Sequence, residues 1–253
     1  MELPRSFWTD YVKKLKKISD TAADKIRAYI KTNNVPLTVE EMNAFIEYAF
    51  AVATKFGEAA SEIAAEMYDT IAKASKAPVP PALPAETPEI SEVAKSVVGT
   101  SKTGNEDIIA DSVSRLVKRT GVDTTLKNAL RDGAECAWIP NGDTCAFCIM
   151  LAANGWQRAS KKTIRNGHAE HIHANCDCTY AVRFNPWTEV EGYDPDQYRE
   201  VYDEADGNTW KQKVNSMRRE FYAENADEIN EQKRDAYEKR KERESSAAEE
   251  TEA

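Results

Sequence analysis

Every soft metal ligand of the chain lies in one short window: all five cysteines fall between Cys136 and Cys178, and all three histidines between His168 and His173. Within it, Cys145-Ala-Phe-Cys148 is followed by His173-Ala-Asn-Cys176-Asp-Cys178. Two separated knuckles of this kind are what a tetrahedral zinc ion takes its ligands from, because a C-x-x-C turn lets two thiolates converge with little backbone distortion. The expected ligands are Cys145, Cys148 and His173 with one of Cys176 or Cys178. Residues two apart on a strand share a face, so both terminal cysteines can point inward, but a tetrahedral shell that includes His173 has room for only one. Cys136 stands nine residues before the first knuckle, outside any ligand spacing, and is expected to pack as a core residue.

Two other uses of the cysteines stand beside zinc: a metal-free cluster of packed thiols, and disulfides. An odd number leaves one cysteine over in a disulfide framework. The first residues, Met1 to Trp8, lack the apolar core of a secretory signal and run into a charged amphipathic pattern, so a reducing compartment is expected. Enzymatic readings fit less well. His168-Ala169-Glu170 matches the H-x-E of zinc nucleobase deaminases, but there the C-x-x-C comes later and follows a proline. A ββα-metal nuclease would continue into a helix where this chain has strand-like residues after Cys178. Glu170 is the one carboxylate placed to act on metal-bound water, and it sits in a polar loop. The expectation is a protein without catalytic residues or activity of its own; the alternative is a zinc-dependent nucleic-acid-processing enzyme, nuclease or deaminase-like.

The elements that must hold this window are mostly helical. Apolar residues from Trp8 to Ile30 recur at spacings of three and four, predicting an amphipathic helix over about 7–32. After Asn33-Asn34-Val35-Pro36, Thr38 and Glu41 form a capping box that opens an alanine-rich helix to about Ser75. The two make a long helical hairpin (1–75). Residues 76–88 hold five of the ten prolines and read as an extended linker and domain boundary. Helices are expected at Glu89–Val98, Asn105–Thr120 and Asp123–Arg131, the last ended by Gly133, followed by strands at Glu135–Ile139 and Cys178–Phe184 on either side of the C-x-x-C helix start. This makes 89–190 an α+β module with a small antiparallel sheet and a Cys/His cluster. Residues 191–244 return to helix, first through Tyr198, Val201 and Tyr202 and then, from about Thr209 through Trp210, Val214, Met217 and Phe221 to Tyr237, in a C-terminal long helix, and 245–253 are a disordered acidic tail. The fold class is therefore α+β, predominantly helical.

A formal net charge of -9 argues against broad wrapping of nucleic acid. The local exception is the mildly basic stretch with Arg158, Lys161, Lys162, Arg165 and Arg183, a solvated loop or a weak contact to DNA. No run approaches the roughly 20 apolar residues of a membrane span. The helices carry Trp8, Tyr11, Phe45, Phe50, Trp210 and Phe221, more aromatic surface than separate surface helices expose, so part of it is expected to meet partners.

The run Gly142-Asp143-Thr144-Cys145-Ala146-Phe147-Cys148-Ile149-Met150-Leu151, then Gly155-Trp156, then His171-Ile172-His173-Ala174-Asn175-Cys176-Asp177-Cys178 closed by an apolar strand to Phe184, resembles a family. It is similar to the minor capsid or head morphogenesis proteins of tailed bacteriophages that share the Mu-type F domain. The likeness covers about Asp111 to Phe184. It implies a low-copy structural protein of the phage head, located inside the virion capsid and in the host cytoplasm during assembly. The implied partners are the portal or major capsid protein, and the implied role is head morphogenesis or DNA packaging and delivery.

Overall fold

The computed structural model describes residues 2–141, 144–160, 178–231, 234, 237–238 and 241. The hairpin forms as its periodicity requires. Helix α1 (Arg5–Asn33) buries Trp8, Tyr11, Val12, Leu15, Ala22, Ile26 and Ile30 along one stripe. Helix α2 (Val39–Ala74) is about 54 Å long at 1.5 Å per residue and buries a narrow alanine-rich seam with Phe45, Val52, Met67, Tyr68 and Ile71. The capping box is complete: Thr38 Oγ1 accepts from the Glu41 N–H at 3.2 Å, and Glu41 Oε2 accepts from the Thr38 N–H at 3.0 Å.

Helix α3 (Ile90–Ser101) lies across α2 and α4, and α4 (Glu106–Asp132) packs on both hairpin helices. The break expected between Thr120 and Asp123 does not occur; α4 is continuous through both. Gly121 is the reason that region looks like a boundary in sequence. A Cβ there would come within 3.2 Å of both the Ala60 carbonyl oxygen and Leu15 Cδ1, so glycine is present to let α1, α2 and α4 meet closely, not to end a helix. The end comes at Gly133, which caps α4 at φ +65°.

The proline-rich segment is extended, and it is tied down along its length. Asp69 Oδ1 accepts from the Ala82 N–H at 2.8 Å, Asn128 Oδ1 from the Leu83 N–H at 2.9 Å, and Thr124 Oγ1 from the Ala85 N–H at 3.0 Å. Arg131 donates to the carbonyls of Pro80 and Pro81, both at 3.0 Å. Proline gives up its own donor but keeps its carbonyl, so a strap of this composition is held by side chains that alternate as acceptors for its few N–H groups and donors to its many C=O groups. One hydrophobic cluster runs from Trp8 to Val190 beneath it, so α2, α3 and α4 share a core on both sides of the strap.

Strand β2 (Glu135–Ile139) is the centre of a three-stranded antiparallel sheet, between β3 (Gln157–Arg158) and β4 (Thr179–Arg183). Cys136 lies opposite Val182 and Trp138 opposite Tyr180. Side chains directly opposite share a face, so Cys136, Trp138, Tyr180 and Val182 line one side, and Ala137, Ile139, Thr179 and Ala181 the other. The first side is covered by the short helix α5 (Ala146–Ala153); the second meets the helical body, where the Tyr11 hydroxyl lies beside Thr179 and Thr125.

Residues Glu2–Leu3 (β1) pair in parallel with Glu189–Val190 (β5), a connection that no periodicity announces. Beyond it, helices α6 (Pro195–Glu204) and α7 (Trp210–Glu224) pack on α5. Both helical segments expected from the sequence are present, the second starting at the Thr209 cap, but that second helix is interrupted at Asn225, where Asn225 Nδ2 donates back to the Phe221 carbonyl at 2.8 Å. Thr209 caps α7 through a second capping box with Gln212.

Candidate functional site

The sheet side that faces α5 is where the thiols gather. Cys145 is the N-cap of α5, in extended conformation at φ -71° and ψ 159°, and its carbonyl accepts the first helical bond, from the Ile149 N–H at 3.0 Å. The C-x-x-C run is thus a strand-to-helix turn, with the first cysteine on its outer edge and Cys148 a turn later at 1% exposure. Cys178 is buried one residue before β4, and the alternation that directs Tyr180 toward α5 directs Cys178 the same way. Cys136, Cys145, Cys148 and Cys178 are all thiols, and no disulfide joins them.

Their environments differ. Burial, with Glu135 adding a smaller push, raises the Cys136 thiol to about 12, so it stays protonated at neutral pH and packs in the core as expected. The Tyr180 phenol is driven up by burial and further by the Cys136 and Cys148 sulfurs, and Cys136 and Tyr180 line one small cavity. Tyr180 packs edge-on against Trp138, ring centroids 4.8 Å apart. A cavity of about 20 Å³ opens between Cys136, Trp138, Leu151, Gly155 and Tyr180. It has room for one water, and among the described residues the buried Trp138 Nε1 has no acceptor.

Of the predicted ligands, the fold brings Cys145, Cys148 and Cys178 to one layer of the module. His173 and Cys176 lie outside the described residues, as do His168, His171 and Glu170. Among the described residues no three Cys, His, Asp or Glu side chains converge as a metal shell. Cysteine sulfur is a donor that zinc prefers, but these three described cysteines do not by themselves form a shell.

The basic stretch is partly spoken for. Arg183 donates to Glu135 Oε2 at 2.7 Å and to the carbonyls of Pro186 and Thr188, while its guanidinium lies 4.6 Å from the Trp156 ring centroid. It is a clamp across the sheet edge, already charge-paired. Arg158 is exposed on β3; Lys161, Lys162 and Arg165 lie outside the described residues.

The aromatic surface divides in the same way. Trp8, Tyr11 and Phe45 are core residues and Phe50 packs against the core, whereas Trp210 and Phe221 of α7 are 47% and 62% exposed. No periodicity could have separated the two groups, because both show helical spacing; what separates them is whether another helix lies opposite.

A helical body that carries a small cysteine-bearing sheet module, with helical extensions beyond it, defines the class: a predominantly helical protein with no described helix long and apolar enough to cross a membrane. A family model described as VG15 protein matches residues 2–205. The chain belongs to the VG15 protein family, which places it among phage proteins. No curated protein and no solved structure matches it.

Proposed function

We propose that this VG15-family chain is a minor structural protein of a phage head, associated with the portal or the capsid shell and acting in head morphogenesis or DNA packaging and delivery. Membership of a phage family over residues 2–205 carries the reading. The Cys/His pattern of a Mu-type F domain, whose described cysteines the fold gathers on one layer, supports the assignment to the head. In this reading the protein acts through its surfaces: its most exposed apolar residues, among them Leu37, Val39 and Trp187, lie on helices and turns outside the core. Zinc, bound by Cys145, Cys148 and His173 with Cys176 or Cys178, staples the module; the metal supplies cross-linking, not catalysis.

The test is the composition of purified virions. The protein is expected in DNA-filled heads at a copy number far below that of the major capsid protein, and to be recovered with the portal after the shell is dissociated. Its absence from heads, or metal-dependent cleavage or deamination of nucleic acid that Glu170→Gln abolishes, overturns the proposal.

A further inference from the structure

Helices α6 and α7 carry opposite charge on outward faces. On α6, Asp196, Glu200, Asp203 and Glu204 are exposed together with Val201, and only Arg199 interrupts them, paired to Asp196. On α7, Lys211, Arg218 and Arg219 are exposed; Lys211, Asn215, Arg218 and Tyr222 follow one another at helical spacing, a row apart from the one that Trp210 shares with the buried Val214 and Met217. The side of α7 turned to the body is narrow: Val214, Ser216 and Met217 are its buried residues.

The two faces do not meet within one molecule. Among the described residues no ion pair joins Glu200, Asp203 or Glu204 to Lys211, Arg218 or Arg219. The link between the helices is of another kind: Lys213 Nζ donates to the carbonyls of Tyr202, Asp203 and Ala205 at 3.0, 2.7 and 2.9 Å, closing the end of α6 and fixing α7 against it. Both faces are thus presented on a rigid corner, each with exposed apolar side chains among its charges.

We infer that the partner of this corner is a second copy of the chain, the α6 carboxylate face of each copy docking on the α7 arginine face of the other. Arginine is a residue type that anchors such contacts, and opposite potentials set their register. Contact of α7 with α7, or α6 with α6, would set like charges against each other. A two-fold contact satisfies both faces at once and closes. Nucleic acid is the competing occupant of an arginine face, but Glu220 and Glu224 on the same helix and the carboxylates of α6 close by oppose a phosphate backbone.

The experiment is analytical ultracentrifugation of the full chain at low and high salt, with two charge-reversed variants and their combination. The expected result is a dimer that salt weakens. Arg218→Glu with Arg219→Glu, or Glu200→Arg with Glu204→Arg, should each weaken it at least about a hundredfold, and all four changes in one chain should restore it. The positions are exposed, so circular dichroism should show every variant folded. A monomer at all concentrations in low salt, a dimer indifferent to the reversals, or no rescue in the combined variant overturns the inference. So does a monomer that binds duplex DNA and loses it on Arg218→Glu with Arg219→Glu. The first three outcomes leave the head assignment untouched, since that is read from virion composition.

Discussion

Leu83 and Asn128 exchange two hydrogen bonds: the Leu83 N–H donates to Asn128 Oδ1 at 2.9 Å, and Asn128 Nδ2 donates to the Leu83 carbonyl at 2.8 Å. A side-chain amide here does the work of a neighbouring strand for a segment too rich in proline to find one. Asn128→Ala removes both bonds and frees the partly buried N–H and C=O of Leu83, with a cost of about 1–2 kcal/mol. Urea unfolding should show the loss, and limited proteolysis should find new cleavage within 77–88.

Tyr68 on α2 donates to Asp132 Oδ2 at 2.8 Å, and Arg131 holds the same carboxylate. Burial alone would raise Asp132; the bonds from Arg131 and Tyr68 outweigh it and bring the group below the ordinary aspartate range. A depressed carboxylate contributes stability that is present above its unfolded pKa and lost as pH falls through the folded one. Tyr68→Phe should therefore cost about 1.5–3 kcal/mol at neutral pH. That difference should shrink steadily as pH drops below the usual aspartate range. A difference constant from neutral to strongly acidic pH would show that the charge of Asp132 is not what the tyrosine stabilises.

At Gly121 a methyl group gains helix propensity worth about 1 kcal/mol but must push against the Ala60 carbonyl, which cannot move without moving α2. Gly121→Ala should be net destabilising by about 1–2 kcal/mol, and Gly121→Val more so. Gly99 is the control: a Cβ there meets nothing within 4 Å, and Gly99→Ala should stabilise α3. Thermal melts of the three variants decide it.

Elemental analysis should find about one zinc per chain, as a closed structural site requires, and chelation should lower the melting temperature. Cys145→Ser and Cys148→Ser should each lose the metal, whereas Cys136→Ser should keep it and destabilise only through the core. In the native protein Cys136, with its thiol raised to about 12, should resist alkylation at neutral pH. Metal well below one per chain together with an unchanged melt on chelation would remove zinc from the account.

The helical hairpin, its Thr38–Glu41 cap, the stop at Gly133 and the strand Glu135–Ile139 were legible because each is written in local chemistry: a period, a cap, a left-handed glycine. What escaped is what depends on a distant partner. Gly121 looks the same in sequence whether it ends a helix or admits a neighbour. The prolines of 76–88 dictate an extended chain, yet whether it is a tether or a bound strap depends on Asp69, Thr124, Asn128 and Arg131, which lie elsewhere. Two-residue strands such as β1, β3 and β5 are too short to carry a pattern. At the candidate site, the pairing of Cys145 with Cys148 follows from the motif, while the placing of Cys136 and Cys148 near Tyr180 follows from a strand register that spacing alone does not fix.

The pairing of β1 with β5 also sets an order in time. Residues 2 and 3 have no strand to lie against until residues 189 and 190 have been made, and the Arg5 N–H has its acceptor on Glu191 only after that. During synthesis the hairpin α1–α2 can form early from local contacts, but residues 2 and 3 wait, unpaired, for almost the last of the sheet module. In a ribosome-bound chain arrested before residue 190 has emerged, the backbone amides of residues 2 and 3 should exchange hydrogen freely and become protected only once the strand at 189–190 is made.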